Sequence, residues 1–194
     1  MTNAADIRTE QALDAFMQRL SKLHQQDGWP LTPFDPDWPG QCYQREAEPG
    51  VQVTWQPTRN AQGTELFAGL ANAFEQPVHP SVVTFYSRYW SDHLPATLPD
   101  GREVSLLQIW NEEDFERLRG NLVGHALSKR KQRRPLTLFF ATLEPDTDRF
   151  FSVDNADGSV WLERAGKAPL ERIANSLADF LDQLTPLKLP DVEH

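Results

Sequence analysis

The chain has 194 residues, a net charge of −9 and 39% hydrophobic residues, with six Trp and eleven Phe. That length suits one domain with its own core, and the apolar content excludes a disordered chain. No apolar run approaches the roughly 18 residues of a membrane helix, the N-terminus lacks a basic and apolar leader, and a lone Cys42 cannot form an internal disulfide. Together these features predict a cytoplasmic protein. The charge is uneven: five of the seven residues in "SKRKQRR" (128–134) are basic, so the other 187 carry −14 (−9 less +5). A surface this acidic repels nucleic acid and attracts basic peptides.

In chain order, residues 9–24 read as a helix with Leu13, Phe16, Met17, Leu20 and Leu23 on one face. "GWPLTPFDPDWPGQ" follows and, with four prolines and two glycines, reads as irregular. "VQVTWQ" (51–56) alternates like a strand ended by Pro57. Thr64 caps an expected helix to Phe74, with Leu66, Phe67, Leu70 and Phe74 inward. "VVTFYSRYW" (82–90) and "EVSLLQIW" (103–110) read as strands of a hairpin-like antiparallel pair, joined by "LPATLPDGR". A helix is expected over 112–130 and a central strand over 136–143. Residues 150–163 read as a hairpin around Asp157-Gly158. Pro169 then opens a last helix carrying Leu170, Ile173, Ala174, Leu177, Leu181 and Leu184, with Asp179 and Asp182 outward. The expectation is one α+β domain over 1–194, a mostly antiparallel sheet with packed helices, loose in its first eight and last six residues.

Catalytic signatures are missing from the sequence. There is no glycine-rich phosphate loop, nucleophile elbow or H-E-x-x-H, and no two of the five histidines share a ligand spacing. "VDNADGS" fails as a calcium loop, because Gly158 in the sixth place would put Val153 at the first ligand position. No His or Asn lies near Cys42 in sequence to serve as its partner, so Cys42 reads as a structural thiol. The expectation is a protein without catalytic residues, metal or cofactor.

The stretch 110–134 carries the clearest charge pattern. Asn111 can cap a helix by accepting from the amide of Asp114, and Glu112, Glu113 and Asp114 suit the positive end of its dipole. Lys129, Arg130 and Lys131 suit the negative end, and Pro135 stops the helix. Two readings stay open: the charges only cap the helix, or they also serve as a handle for a partner.

The blocks "WPL" (29–31), "VTWQP" (53–57), "HPSVVTFYS" (79–87), "LLQIWNEEDFERLRGNLVGH" (106–125), "PLTLFFATLE" (135–144) and "NSLADFLDQLTPL" (175–187) occur in this order along nearly the whole chain. In these blocks the sequence resembles the Syd family, the bacterial SecY-interacting proteins, from about residue 9 to about 188. The resemblance implies a SUKH-like fold and a non-enzymatic protein that docks on the cytoplasmic side of the SecY translocation channel, peripheral to the inner membrane. It further implies an acidic concave groove that receives basic cytosolic loops of SecY, restraining or titrating uncomplexed or misassembled SecY. Partner-binding candidates are Glu112, Glu113, Asp114, Glu75, Trp55 and Tyr86, while Lys129, Arg130, Lys131, Arg133 and Arg134 are candidates for weak contact with anionic lipid. The alternative is an immunity-type domain of the same superfamily that neutralises a basic toxin. Nucleic-acid binding through 128–134 is opposed by the overall field.

Overall fold

The structure, a computed structural model, describes residues 4–64, 67 and 69–191. Helix α1 (Ala4–His24) leads into a small sheet of β1 (Leu31–Pro33) and β2 (Gln52–Thr54). A second short pair, β3 (Thr58–Arg59) with β4 (Tyr89–Trp90), brackets α2 (Leu70–Phe74) and α3 (Pro80–Ser87). Then come β5 (Leu94–Thr97), β6 (Glu103–Leu106), α4 (Glu112–Lys131), β7 (Thr137–Glu144), β8 (Arg149–Asp154), β9 (Val160–Arg164), β10 (Glu171–Ala174), α5 (Leu177–Gln183) and β11 (Thr185–Pro186). The last seven strands form one antiparallel sheet in the order β10-β9-β8-β7-β6-β5-β11. The fold is α+β, as the sequence predicts.

Strand alternation divides the rings of β7 and β8 between two faces. Phe140 and Phe151 each meet Phe180 of α5 at 5.2 Å between ring centroids, and Phe140 also meets Phe85 of α3 at 5.5 Å. Phe139 and Phe150 turn the other way, each 5.6 Å from His125 of α4. Helices α3 and α5, with α1 packed on both, therefore cover one face, and the C-terminal half of α4 covers the other. Each fully buried ring contributes about 1.5–3 kcal/mol. At the rim, Asp14 of α1 accepts from Arg88 Nε and Nη2 at 2.6 Å each, from the Tyr89 hydroxyl at 2.8 Å and from Arg59 at 3.0 Å. Burial pushes the Asp14 carboxyl up, but bonds from Arg88 and Tyr89 and the two guanidinium charges outweigh it, so it lies below the usual range.

Several elements differ from the sequence reading. Residues 82–90 are not one strand: α3 ends at Ser87 and only Tyr89–Trp90 is extended. Pro80 sits at the start of α3, and His79 caps it by accepting from the Ser81 amide. That start signal prevails over β-branched composition because α3 is buried on most of its surface, and a buried helix carries apolar residues all round. The partner of β6 is instead β5, drawn from the expected loop, with Leu94 opposite Leu106 and Thr97 opposite Glu103. Gly101, at φ 87, takes the left-handed position that closes the turn between them. The helix expected from Pro169 is two elements: Glu171–Ala174 adds an edge strand to β9, and Ser176 caps α5 by accepting from the Asp179 amide at 3.0 Å. Leu170, placed inside by periodicity, is 53% exposed. The irregular segment 28–41 contributes β1, which pairs with β2. Leu23 is exposed, and His24 beside it is buried against Trp29. Residues 4–8, expected loose, belong to α1, whereas Leu66 lies outside the described residues.

Leu177 and Leu181 are fully buried, and Asp179 and Asp182 face outward toward Arg8. Thermal melts should show Leu181→Ala losing about 2–5 kcal/mol and Asp182→Ala less than about 1 kcal/mol. A second expectation concerns pH. The ring of His79 accepts from the Ser81 amide through Nδ1, so it caps α3 only when that nitrogen is unprotonated. Burial lowers its pKa, against the opposing charges of Asp157, Asp6 and Asp154. A lowered histidine pKa means the unfolded chain binds the proton more tightly, so this contribution is complete above about pH 6.5 and is lost as pH falls toward the folded value. Between about pH 7.5 and 5.5 the melting temperature of the wild type should therefore fall further than that of His79→Asn, which keeps a capping oxygen.

Candidate functional site

The first turn of α4 and the loop 34–41 enclose a pocket of about 420 Å³. Asn111 builds both sides of it. Its Oδ1 accepts from the Asp114 amide at 2.8 Å, starting α4, while its Nδ2 donates to the Pro39 carbonyl at 2.8 Å, holding the loop. Asp114 answers by accepting from the Trp110 amide at 2.9 Å. This reciprocal pair satisfies donors that a helix start otherwise leaves open. The loop approaches closely because residue 40 is glycine: a Cβ there would lie 2.2 Å from Trp110 Nε1 and 2.6 Å from Cε2.

The floor is aromatic and the rim is acidic. Trp110 stands edge-on to Tyr43 at 5.0 Å and to Trp55 at 5.7 Å, and Trp90 also lines the pocket. Glu112 and Glu113 are exposed at the mouth. Glu112 accepts from the neutral amide of Gln62 at 2.9 Å, which leaves its charge uncancelled. Glu113 has an exposed contact with Arg117 at 3.4 Å, a weak pair that solvent screens. Arg117 also lies over the ring of Trp38, 4.3 Å from its centroid, on the same loop as the exposed Asp35 and Asp37. An indole floor with carboxylates at the mouth suits the stem and charged head of a Lys or Arg side chain.

The other sequence candidates separate. Asp114 is spent on the cap and is not at the pocket mouth. Glu75 lies at the opposite end of α4, paired with Arg130 at 2.9 Å. Trp55, 2% exposed, supports Trp110 from beneath and is closed to a partner. Tyr86 is fully buried on α3, where its hydroxyl donates to the Phe139 carbonyl at 2.9 Å and burial pushes its pKa up, so it too is closed. The basic stretch also divides. Lys129 is buried in an ion pair with Glu163 and cannot reach lipid, and Arg130 is engaged by Glu75. Trp110, Asn111, Gln62 and Gly40 complete the site. The Pro39-Gly40 turn was a legible signal of a close approach, but nothing local in sequence links it to Trp110.

Among the described residues no Ser, Thr or Cys lines the pocket. Cys42 is fully buried, and burial pushes its thiol up to about 12. Among the described residues no group of three or more His, Cys, Asp or Glu is placed to hold a metal ion, and no helix is long and apolar enough to cross a membrane. Gly40→Ala should cost about 1–3 kcal/mol in denaturant unfolding, because the added methyl must displace the Trp110 indole or lift the loop. Tryptophan emission should shift in the same variant.

Residues 10–186 match the family model described as Syd protein (SUKH-2). The chain is 45% identical over 181 residues to Protein Syd of Pseudoalteromonas atlantica, covering 91% of this chain and 95% of that one. It is 38% identical over 175 residues to Protein Syd of Alteromonas mediterranea, covering 90% and 94%, and 44% identical over 149 residues to Protein Syd of Hahella chejuensis, covering 77% and 76%. A match of this extent, spanning the pocket and the whole seven-stranded sheet, establishes that the chain belongs to the Syd family.

Proposed function

We propose that the protein acts by binding rather than by catalysis, and that the pocket at the start of α4 receives a basic side chain from a cytosolic loop of SecY. The observation that carries this reading is the pair of exposed carboxylates, Glu112 and Glu113, at the mouth of an indole-floored pocket in a chain of −9. The family resemblance read in the sequence implies SecY as the partner, and cytoplasmic loops of membrane proteins carry the excess Lys and Arg that such a site selects. On this reading the protein is held at the cytoplasmic face of the inner membrane through its partner, where it restrains or titrates uncomplexed or misassembled SecY.

Magnitudes limit how binding proceeds. An exposed ion pair contributes at most about 1 kcal/mol, and a cation over an indole about 0.5–2 kcal/mol. A single inserted side chain therefore gives weak binding, and a stable complex needs several contacts along the acidic surface. Such attraction accelerates encounter and fades with salt.

The test is a titration of a labelled basic peptide copying a SecY cytosolic loop. Glu112→Gln with Glu113→Gln should weaken binding more than either change alone, and Arg133→Glu at the far end of α4 should not weaken it. Affinity should fall between roughly 50 and 300 mM salt, as the Debye length shortens from about 14 to about 6 Å. An unchanged affinity in the double Gln variant overturns the assignment of this pocket.

A further inference from the structure

Beyond β11, residues 187–191 are fastened to the corner where α1 ends and β1 begins. The Leu187 amide donates to the Pro95 carbonyl at 2.9 Å, and the Leu189 amide donates to His24 Nε2 at 3.2 Å. Asp191 Oδ1 accepts from the Leu31 amide at 2.8 Å, and Lys188 pairs with Asp27. Leu189 is 5% exposed, so the segment is packed as well as bonded. The fastenings are unequal. Lys188, Asp27 and Asp191 are exposed, where solvent screens their contacts, whereas His24 is buried. His24 is therefore the firm point that holds Leu189.

That point works in one protonation state only. A carbonyl can only accept and an amide N–H can only donate, so each ring nitrogen of His24 has a fixed role. Nδ1 carries the proton and donates to the Gly28 carbonyl at 2.9 Å, while Nε2 keeps its lone pair for Leu189. The Gly28 amide donates back to the His24 carbonyl at 2.9 Å, and the Trp29 ring stacks on the imidazole at 4.7 Å between centroids and 12°. A ring turned over would lose both backbone bonds. A second proton must therefore go to Nε2, where it removes the acceptor and sets one N–H against another. The stacked indole accommodates a cationic ring, so the ring stays and the Leu189 amide loses its partner. The charged groups around it are Lys22 on its own helix, Asp27 in the turn that follows, and Lys188 and Asp191 on the segment itself. Asp27 favours the cationic ring but is shared with Lys188. A stranded amide and the burial of one leucine are effects of comparable size, so the loss opens this segment and leaves the sheet intact. We propose that residues 188–191 form a pH-sensitive latch: neutral His24 fastens the segment at Leu189, and protonation of His24 releases it from the corner of α1 and β1. The latch is separate from the pocket at the start of α4, and neither depends on the other.

The experiment is amide hydrogen exchange on the full chain, followed by NMR at about pH 7.5 and about pH 5.5, with each rate divided by the intrinsic rate at that pH. This window titrates histidine and leaves ordinary carboxylates ionised. Protection at Leu189 should fall about tenfold or more between the two. Leu187 should change little, because its acceptor, the Pro95 carbonyl, does not titrate. Nitrogen-15 shifts of the His24 ring should show the Nδ1–H tautomer at the higher pH, and its titration should track the loss at Leu189. His24→Gln offers a donor and an acceptor that do not titrate, so Leu189 protection in that variant should no longer change with pH, while the other histidines titrate as before. If the variant does not fold, the wild-type comparison of Leu189 with Leu187 and with the His24 titration decides alone. Unchanged protection at Leu189 across the window, equal losses at Leu187 and Leu189, or a loss that persists in His24→Gln overturns the proposal.

Discussion

Helix α4 is fastened at its two ends by different chemistry, and the position of the candidate site depends on that. Its 20 residues span about 30 Å. At the start, Asn111, Asp114 and the Trp110 amide satisfy one another and draw the loop 34–41 onto the helix. Near the end, Lys129 is buried in an ion pair with Glu163 on β9. A buried ion pair gains little net energy over an apolar pair, but losing one partner strands a charge and costs about 3–5 kcal/mol. Its value here is positional: it fixes which turn of α4 meets β9. The line of Phe115, Leu118 and Leu122 between the fastenings then packs in one phase, and the acidic first turn faces the loop.

The charge distribution follows the helix dipole, yet each end does more than satisfy it. Acids at a helix start and bases at its end are favoured for purely local reasons. Three acids at the start divide the labour here: Asp114 is consumed by the cap, while Glu112 and Glu113 keep their charges at a pocket mouth. Of five bases in 128–134, Lys129 is buried against Glu163, Arg130 makes an exposed pair with Glu75, and Arg134 lies near the β9–β10 turn. The cap uses one acid of the cluster and leaves two exposed, which is what the proposed handle requires.

How much of this was legible depended on whether the signal was local. The cap at Asn111, the strand at 137–144, the Asp157-Gly158 hairpin and the inward Leu177 and Leu181 of the last helix follow from neighbours in sequence, and all were readable. Residues 82–87 were misread because valines and aromatics favour strands only where a pleated, half-buried surface awaits them, and α3 is instead immersed in the core. Residues 94–97 were missed because Pro95 and Pro99 look like loop, yet β5 lies near the sheet margin, paired beyond only to the two residues of β11. Within the site, Glu112 and Glu113 were legible from charge. Tyr86 was not separable from surface aromatics because strand alternation was applied to a segment that is helical, and Trp55, just past the end of β2, is covered by Trp110 from far along the chain. The contact of Gly40 with Trp110, seventy residues apart, leaves no local trace.

The central claim is that the acidic end of α4 takes a basic peptide and the basic end does not. Hydrogen–deuterium exchange on the full chain, with and without a saturating basic loop peptide at low salt, tests it without any mutation. Added protection should concentrate in the loop 34–41 and residues 110–117, with 129–134 and 163–167 unchanged. Protection confined to 129–134 and 163–167 would contradict the account.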